Sequence, residues 1–142
     1  MSTSIKQNTD GSTGLAGPGG GQGEFVALAV RYNASSIDET FFTASRRYIV
    51  KSVICRPNVA GTDGSAVTAG VNISADGQSI GAGTKCHNST MDLKGTVHTN
   101  QVMSMSNTPS EHILEEGYTL GINYGGTLTS AVGVISVTLC PA

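Results

Sequence analysis

The stretch GSAVTAGVNISADG, residues 64–77, alternates between apolar residues and residues that are polar or glycine. In an extended strand, successive side chains point to opposite faces, so every second residue shares a face. The residues on one face are Val67, Ala69, Val71 and Ile73, and those on the other are Thr68, Gly70, Asn72 and Ser74. Turn signals bound the alternating residues 67–74, with Asp63-Gly64 before them and Asp76-Gly77 after them. It therefore predicts one short strand with a buried side and a solvent-facing side.

The same alternation recurs from Phe25 onward, with turn signals about every ten residues. GYTLGINYGG (residues 117–126) and GVISVTLC (residues 133–140) each have one apolar face, while RRYIVKSVICR (residues 46–56) predicts a longer strand covered on both faces. These patterns predict eight to ten short strands. We expect an all-β fold, a single jelly-roll-like or Greek-key β-sandwich. The residues expected between its sheets are Val67, Val71, Ile73, Leu120, Ile122, Ile135 and Val137.

Residues 1–24 differ in composition from the expected sandwich domain of residues 25–142, and we interpret them as an extended, Gly-rich N-terminal arm. Ordering a backbone costs about 1–2 kcal/mol per residue, and the arm has few apolar groups to offset that cost. We expect another chain to order it, as when an arm adds a strand to a neighbour's sheet. The alternative is a flexible leader. The residues expected to carry the contact are Ile5, Leu15, Pro18, Gly19, Gly20 and Gly21.

The charge composition argues against nucleic-acid and membrane partners. Charged residues make up 13% of the chain and the net charge is −2, against about 25% charged residues in ordinary domains. No cluster of cations exceeds Arg46-Arg47, whereas a groove that follows phosphates needs many cations on one face. No apolar run approaches the ~20 residues of a membrane span, and the N-terminus has no pattern of a secretory signal. We therefore expect assembly in the cytoplasm.

The residue types that carry catalysis or bind metals are few and poorly spaced. His87, His98 and His112 do not follow zinc-site spacings. The carboxylate pairs at residues 38–39 and 115–116 are neighbours in sequence, whereas glycosidase carboxylates face each other across a cleft. We expect no catalysis, no metal and no cofactor.

The chain has three cysteines, Cys55, Cys86 and Cys140. The favoured interpretation is three reduced thiols, because cytoplasmic proteins rarely keep disulfides. The alternative is a disulfide, within a chain or between chains, that forms after release into an oxidising medium.

Three stretches carry a resemblance to a known family. They are DETFFTASRRYIVKSVICRPNVAGTDGSAVTAGVNIS (residues 38–74), MDLKGTVHTNQ (residues 91–101) and LEEGYTLGINYGGTLTSAVGVISVTL (residues 114–139). They resemble small head decoration (cement) proteins of tailed bacteriophages. The arm and the cysteines are not part of that pattern.

The resemblance implies a protein of the virion that binds the outside of the capsid and stabilises joints between subunits of the major capsid protein. It would be assembled in the host cytoplasm. We also expect a symmetric multimer, a homotrimer, because capsid lattices offer three-fold sites and sandwich edges need covering.

The alternative function is a carbohydrate- or receptor-binding β-sandwich module of a phage fibre or tail, and fibre or tail-tube assembly is a weaker third. Sugar sites use aromatic rings as stacking platforms, and this chain has no Trp, four Tyr and three Phe. Tyr48, Tyr118 and Tyr124 fall in registers that face the predicted core. The composition therefore favours the decoration role.

Overall fold

A computed structural model describes residues 24–142, and the strands of this range form two antiparallel sheets. In sheet A the order is β1-β10-β3-β7, and β8 also pairs with β3. In sheet B the order is β2-β9-β4-β5, and β6 also pairs with β4. The strands are β1 (Val26–Tyr32), β2 (Glu39–Thr43), β3 (Tyr48–Val59), β4 (Thr68–Ser74), β5 (Thr84–Lys85), β6 (Met91–Asp92), β7 (Gln101–Val102), β8 (Ile113–Leu114), β9 (Thr119–Gly125) and β10 (Val132–Pro141).

The strand pairs are nested, like those of one long hairpin folded over itself. β1 pairs with β10, β2 with β9, β3 with β7 and β8, and β4 with β5 and β6, so successive pairs fall in alternate sheets. This is the wiring of a jelly roll, and it confirms the predicted all-β sandwich. The turn signals at Gly77, Gly117 and Gly126 are also confirmed, because all three residues have the positive φ that glycine adopts without strain.

The predicted core residues all lie between the two sheets. None of the seven exposes more than 4% of its surface. In sheet B, Val71 lies opposite Ile122, and in sheet A, Val137 lies opposite Val53. Burying each such side chain contributes about 1.5–3 kcal/mol to folding, so this double layer supplies the main stabilisation of the sandwich.

The prediction that one side of β4 faces solvent is wrong, because another segment of the chain covers that side. Gly70, Asn72 and Ser74 are buried as fully as the residues on the inner face. The covering segment, residues 80–88, begins with a short 3-10 turn whose Ile80 carbonyl accepts a 2.9 Å hydrogen bond from Asn72 Nδ2. Glycines in the sheet let this segment approach the backbone closely.

The prediction that residues 46–56 are covered on both faces is also wrong. Tyr48, Val50 and Val53 of β3 are buried, but the alternate positions are half-buried or exposed, with Lys51 the most prominent. Lys51 lies at a register shift opposite Thr138 and Leu139 and has no Cα partner there. Among the described residues, no further layer covers this side of sheet A, so its outer face remains a surface of the domain.

Substitution of Gly121 tests the close packing on sheet B. In Gly121→Ala the new Cβ would lie 2.5 Å from Ile80 Cγ1 and 2.6 Å from the Glu39 backbone oxygen. We expect the free energy of unfolding, measured by urea denaturation, to fall by about 1–3 kcal/mol. The control is Gly64→Ala, where a Cβ meets no atom within 4 Å, and we expect no loss there. Equal effects at the two positions would contradict this packing.

Candidate functional site

The three histidines do not converge on one site. Within residues 24–142, no group of three His, Cys, Asp or Glu side chains is placed to hold a metal ion. His112 Nε2 lies 2.7 Å from the Ser106 carbonyl oxygen, and His98 occupies a left-handed turn position with a φ of 59°. That the protein lacks catalysis, metal and cofactor stays a prediction.

His87 lies over Gly70 on the outer side of sheet B. A methyl group at Gly70 would overlap the imidazole, so only glycine fits beneath this ring. Both ring nitrogens are buried and have no hydrogen-bond partner among the described residues. Burial lowers the pKa of His87 from its usual value, and the nearby Lys85 ammonium lowers it further. The ring is therefore a neutral packing element.

His87 should make the fold sensitive to acid. Its pKa is lower in the folded chain than in the unfolded chain, where it is about 6.5. As the pH falls through that value, the unfolded chain takes up the proton first, and the free energy of unfolding decreases. We expect His87→Phe to lose less stability between pH 7.5 and pH 5 than the wild type in urea denaturation. His98→Asn changes an exposed histidine and is the control, which should lose as much stability as the wild type over this pH range. If His87→Phe also loses as much stability as the wild type, His87 is not the source of the acid sensitivity.

The three cysteines are free thiols, and their surroundings differ in burial. Cys55 on β3 is fully buried, 3.7 Å from the Tyr32 hydroxyl, and burial raises its pKa. Burial, reinforced by the Glu111 carboxylate, raises the pKa of Cys86 to about 12. Cys140 is half-buried at the end of β10. A disulfide, within a chain or between chains, stays the alternative hypothesis, and Cys140 is the cysteine whose exposure would allow a bond between chains.

A polar groove lies beside the segment that covers sheet B. Its volume is about 620 Å³, and the residues that line it are Gly83, Thr84, Lys85, His87, Asn88, Ser106, Asn107, Thr108 and Glu111. Several lining groups already bond to one another, since the Ser106 hydroxyl contacts the Glu111 carboxylate and accepts a hydrogen bond from the Thr108 amide. The lining includes no Phe, Tyr or Trp ring on which a sugar could stack.

The assignment of Tyr118 to a core register is wrong. Tyr118 precedes β9 and exposes 40% of its surface. Its carbonyl accepts a hydrogen bond from the Ala44 amide, and its amide donates to the Glu115 carbonyl, so it belongs to a turn. Tyr48 is buried and Tyr124 is half-buried, as their registers predicted.

The outer face of sheet A carries exposed and half-buried side chains. Across it, Ser136 lies opposite Ile54 on β3, and Ile54 lies opposite Val102 on β7. Val102 is 70% exposed. In the next row, Val134 lies between Arg31 on β1 and Arg56 on β3. We call this surface the cationic face, defined by Arg31, Lys51, Ile54, Arg56, Val102 and Val134.

The cationic face has no acidic residue on any of its strands. All five strands of sheet A lack Asp and Glu, whereas those of sheet B contain Glu39 and Asp92. The three cations of the face form no ion pair with described residues, the one ion pair in that range being Arg47 with Glu115 at 3.5 Å. Sequence reasoning missed this surface because its residues come from separate strands. The signal was the absence of Asp and Glu from β1, β3 and β10.

The predicted arm contacts lie outside the described residues. Ile5, Leu15, Pro18, Gly19, Gly20 and Gly21 all precede residue 24. The described chain begins at Glu24 and enters β1 two residues later. β1 is the edge strand of sheet A, and no described strand pairs with its outer side. Within residues 24–142, the seven-residue edge of β1 beside the cationic face therefore has no strand partner.

Comparison with known proteins gives a structural likeness. A chain of the cyanophage Pam1 capsid asymmetric unit superposes with a TM-score of 0.52 at 13% sequence identity, covering 96% of this chain and 98% of that chain. The two chains share a fold. No family model matches this chain, and no curated protein matches its sequence.

Two further solved structures are more distant. A chain from the disulfide-linked pili of Bacillus endospore appendages has a TM-score of 0.37 at 16% identity, covering 92% of this chain and 98% of that chain. A chain of infectious bursal disease virus, Gx strain, has a TM-score of 0.34 at 14% identity, covering 83% of this chain and 32% of that chain. Neither superposition is close enough to indicate a common fold. Separately, no helix within residues 24–142 has the length and apolar character needed to cross a membrane.

Proposed function

We propose that this chain is a structural protein of a bacteriophage virion, a decoration or cement protein on the outside of the head. It binds the major capsid protein and stabilises the joints between its subunits. The observation that carries the proposal is the jelly roll shared with a chain of a cyanophage capsid asymmetric unit. Jelly rolls are common in viral capsid proteins, though the fold by itself does not fix a function.

The likeness to the Pam1 chain extends over most of both chains. The alignment covers 96% of this chain and 98% of the Pam1 chain, so it relates two chains of nearly equal length. It does not relate this chain to one domain of a much larger shell protein. A compact sandwich of this size suits a subunit that is added to a shell.

The surface of the sandwich also suits a protein that works by contact. The cationic face adjoins the edge of β1. The face offers the exposed Val102 and three cations without an ion-pair partner among the described residues, and no strand of residues 24–142 pairs with that edge. Such groups form interfaces with other proteins. The protein thus needs no catalysis, cofactor, nucleic acid or membrane for this role. We place it on the capsid surface after assembly in the host cytoplasm, as a homotrimer.

The second candidate is a carbohydrate- or receptor-binding module of a fibre or tail. The polar groove favours it, because hydroxyl, amide and ammonium groups from Thr84, Lys85 and Asn88 line a concavity of about 620 Å³. The absence of Phe, Tyr and Trp from that lining weighs against it, because aromatic rings supply much of the energy at binding sites that stack a ligand.

Imaging of intact virions distinguishes the two candidates. A specific antibody fragment or a density reconstruction should place copies of the chain at regularly repeated positions over the outside of the head. The reason is that a cement protein occupies every equivalent joint of a symmetric lattice. A few copies confined to the tail or its fibres would contradict the proposed function and favour the receptor-binding module.

Deletion of residues 2–23 tests the proposed role of the arm. We expect the truncated chain to keep nearly the same melting temperature, because the predicted core lies in residues 67–137. Binding to preformed, undecorated shells should fall sharply, since an interface of ~1,200 Å² or more needs its full area.

The matched control replaces residues 2–23 with a Gly-Ser linker of the same length. This variant keeps the reach of the arm but lacks Ile5, Leu15 and Pro18, and it should bind shells as weakly as the truncated chain. Co-sedimentation with shells measures both. If the truncated chain decorates shells as tightly as the full chain, the arm is a leader without a binding role.

A further inference from the structure

The charged residues on the strands differ between the two sheets, because the strands of sheet B contain Glu39, Asp92 and Lys85 while those of sheet A contain only cations. The strands of sheet A contain Arg31, Lys51 and Arg56 and no carboxylate. None of these cations has a carboxylate partner among the described residues, and Arg56 donates a 3.3 Å hydrogen bond only to the neutral Asn100 side chain. A surface of this kind attracts carboxylates on whatever binds it.

A complementary feature lies where the chain passes from sheet A to sheet B. Ile37 in the β1–β2 connection is 71% exposed, and Asp38 and Glu39 follow it with exposed carboxylates. Asp38 is held in place, because its Oδ1 accepts a 2.7 Å hydrogen bond from the Tyr124 amide. We call Ile37, Asp38 and Glu39 the acidic corner. It combines one apolar side chain with two carboxylates.

The cationic face and the acidic corner are complementary, because each combines apolar side chains with charges of the opposite sign. The face offers Val102, Ile54 and Val134 beside three cations, and the corner offers Ile37 beside two carboxylates. Ile37 and Val102 are the two most exposed large apolar residues of the described chain. Burying both against each other would remove them from water while the charges pair around them.

We propose that the acidic corner of one copy of this chain binds the cationic face of the next copy. A contact in which two cationic faces meet is disfavoured, because it would bring Arg31, Lys51 and Arg56 against the same residues of the partner. Pairing of two different patches is a heterologous contact, and such contacts close into rings when the rotation allows. This inference rests on the proposed function, which includes a homotrimer, and it names the residues through which the copies would contact one another.

A charge-reversal cycle tests the pairing. In the proposed contact Arg56 of one copy pairs with Glu39 of the next. Arg56→Glu and Glu39→Arg each place like charges at that pair, and each should weaken self-association by about tenfold or more. The double variant, Arg56→Glu with Glu39→Arg, restores opposite charges at positions 39 and 56 across the contact and should recover most of the association. Analytical ultracentrifugation over a range of concentrations measures all three, and higher salt should weaken the wild-type association.

Two controls make the same charge changes elsewhere. Arg46→Glu and Asp76→Arg alter exposed residues outside both patches and should leave association unchanged. Ile37→Ser removes the apolar side chain of the corner and should weaken association while leaving the melting temperature unchanged, since the side chain is mostly exposed.

The outcomes separate this inference from the proposed function. It is overturned if the wild-type chain stays monomeric at every concentration, if the single reversals associate like the wild type, or if the double variant does not recover. Co-sedimentation with preformed shells is a separate measurement. Chains that bind shells while failing the charge-reversal cycle would overturn the contact and leave the proposed function standing.

Discussion

The whole sandwich depends on two central strand pairs, β3 with β10 and β4 with β9. Each pair joins a strand from the first half of the described chain to one from the second half, and each lies in the middle of its sheet. The apolar residues of these strands face each other across the space between the sheets, where they exclude water. Because no helix of the described residues covers the inner faces, the two sheets bury one another, and the edge strands attach to this centre.

The sequence was sufficient to predict the fold class and the inner core but not the outer surfaces. Val71, Ile122 and Ile135 follow a period of two, and that period is a local property which any strand must satisfy to have an apolar face. The cover over Gly70 could not be read from β4, because it comes from His87, seventeen positions later in the chain. A polar or glycine face predicts exposure unless a distant segment packs on it.

The errors at β3 and Tyr118 have a related origin. The run in residues 46–56 is apolar on both sides, yet apolar composition does not create a layer to cover it, and the outer positions remain at the surface. Tyr118 matches the alternation of β9 but lies one residue before the strand, where the turn sets its direction. The cationic face could be recognised only once each strand was assigned to its sheet. Once β1, β3 and β10 are known to share a sheet, the absence of carboxylates from them becomes visible.

The nested pairing also sets the order in which the chain can fold during synthesis. β1 is made early, but its partner in sheet A is β10, so it has no native neighbour until most of the chain has left the ribosome. Topologies with such distant contacts fold in milliseconds to seconds, slower than helical bundles of similar size. Until β10 pairs with it, β1 can pair with an unpaired strand of another chain, and its apolar residues are exposed to water. Growing chains of this protein are therefore most exposed to aggregation before translation is complete, and a high rate of synthesis from many messages at once would increase that exposure.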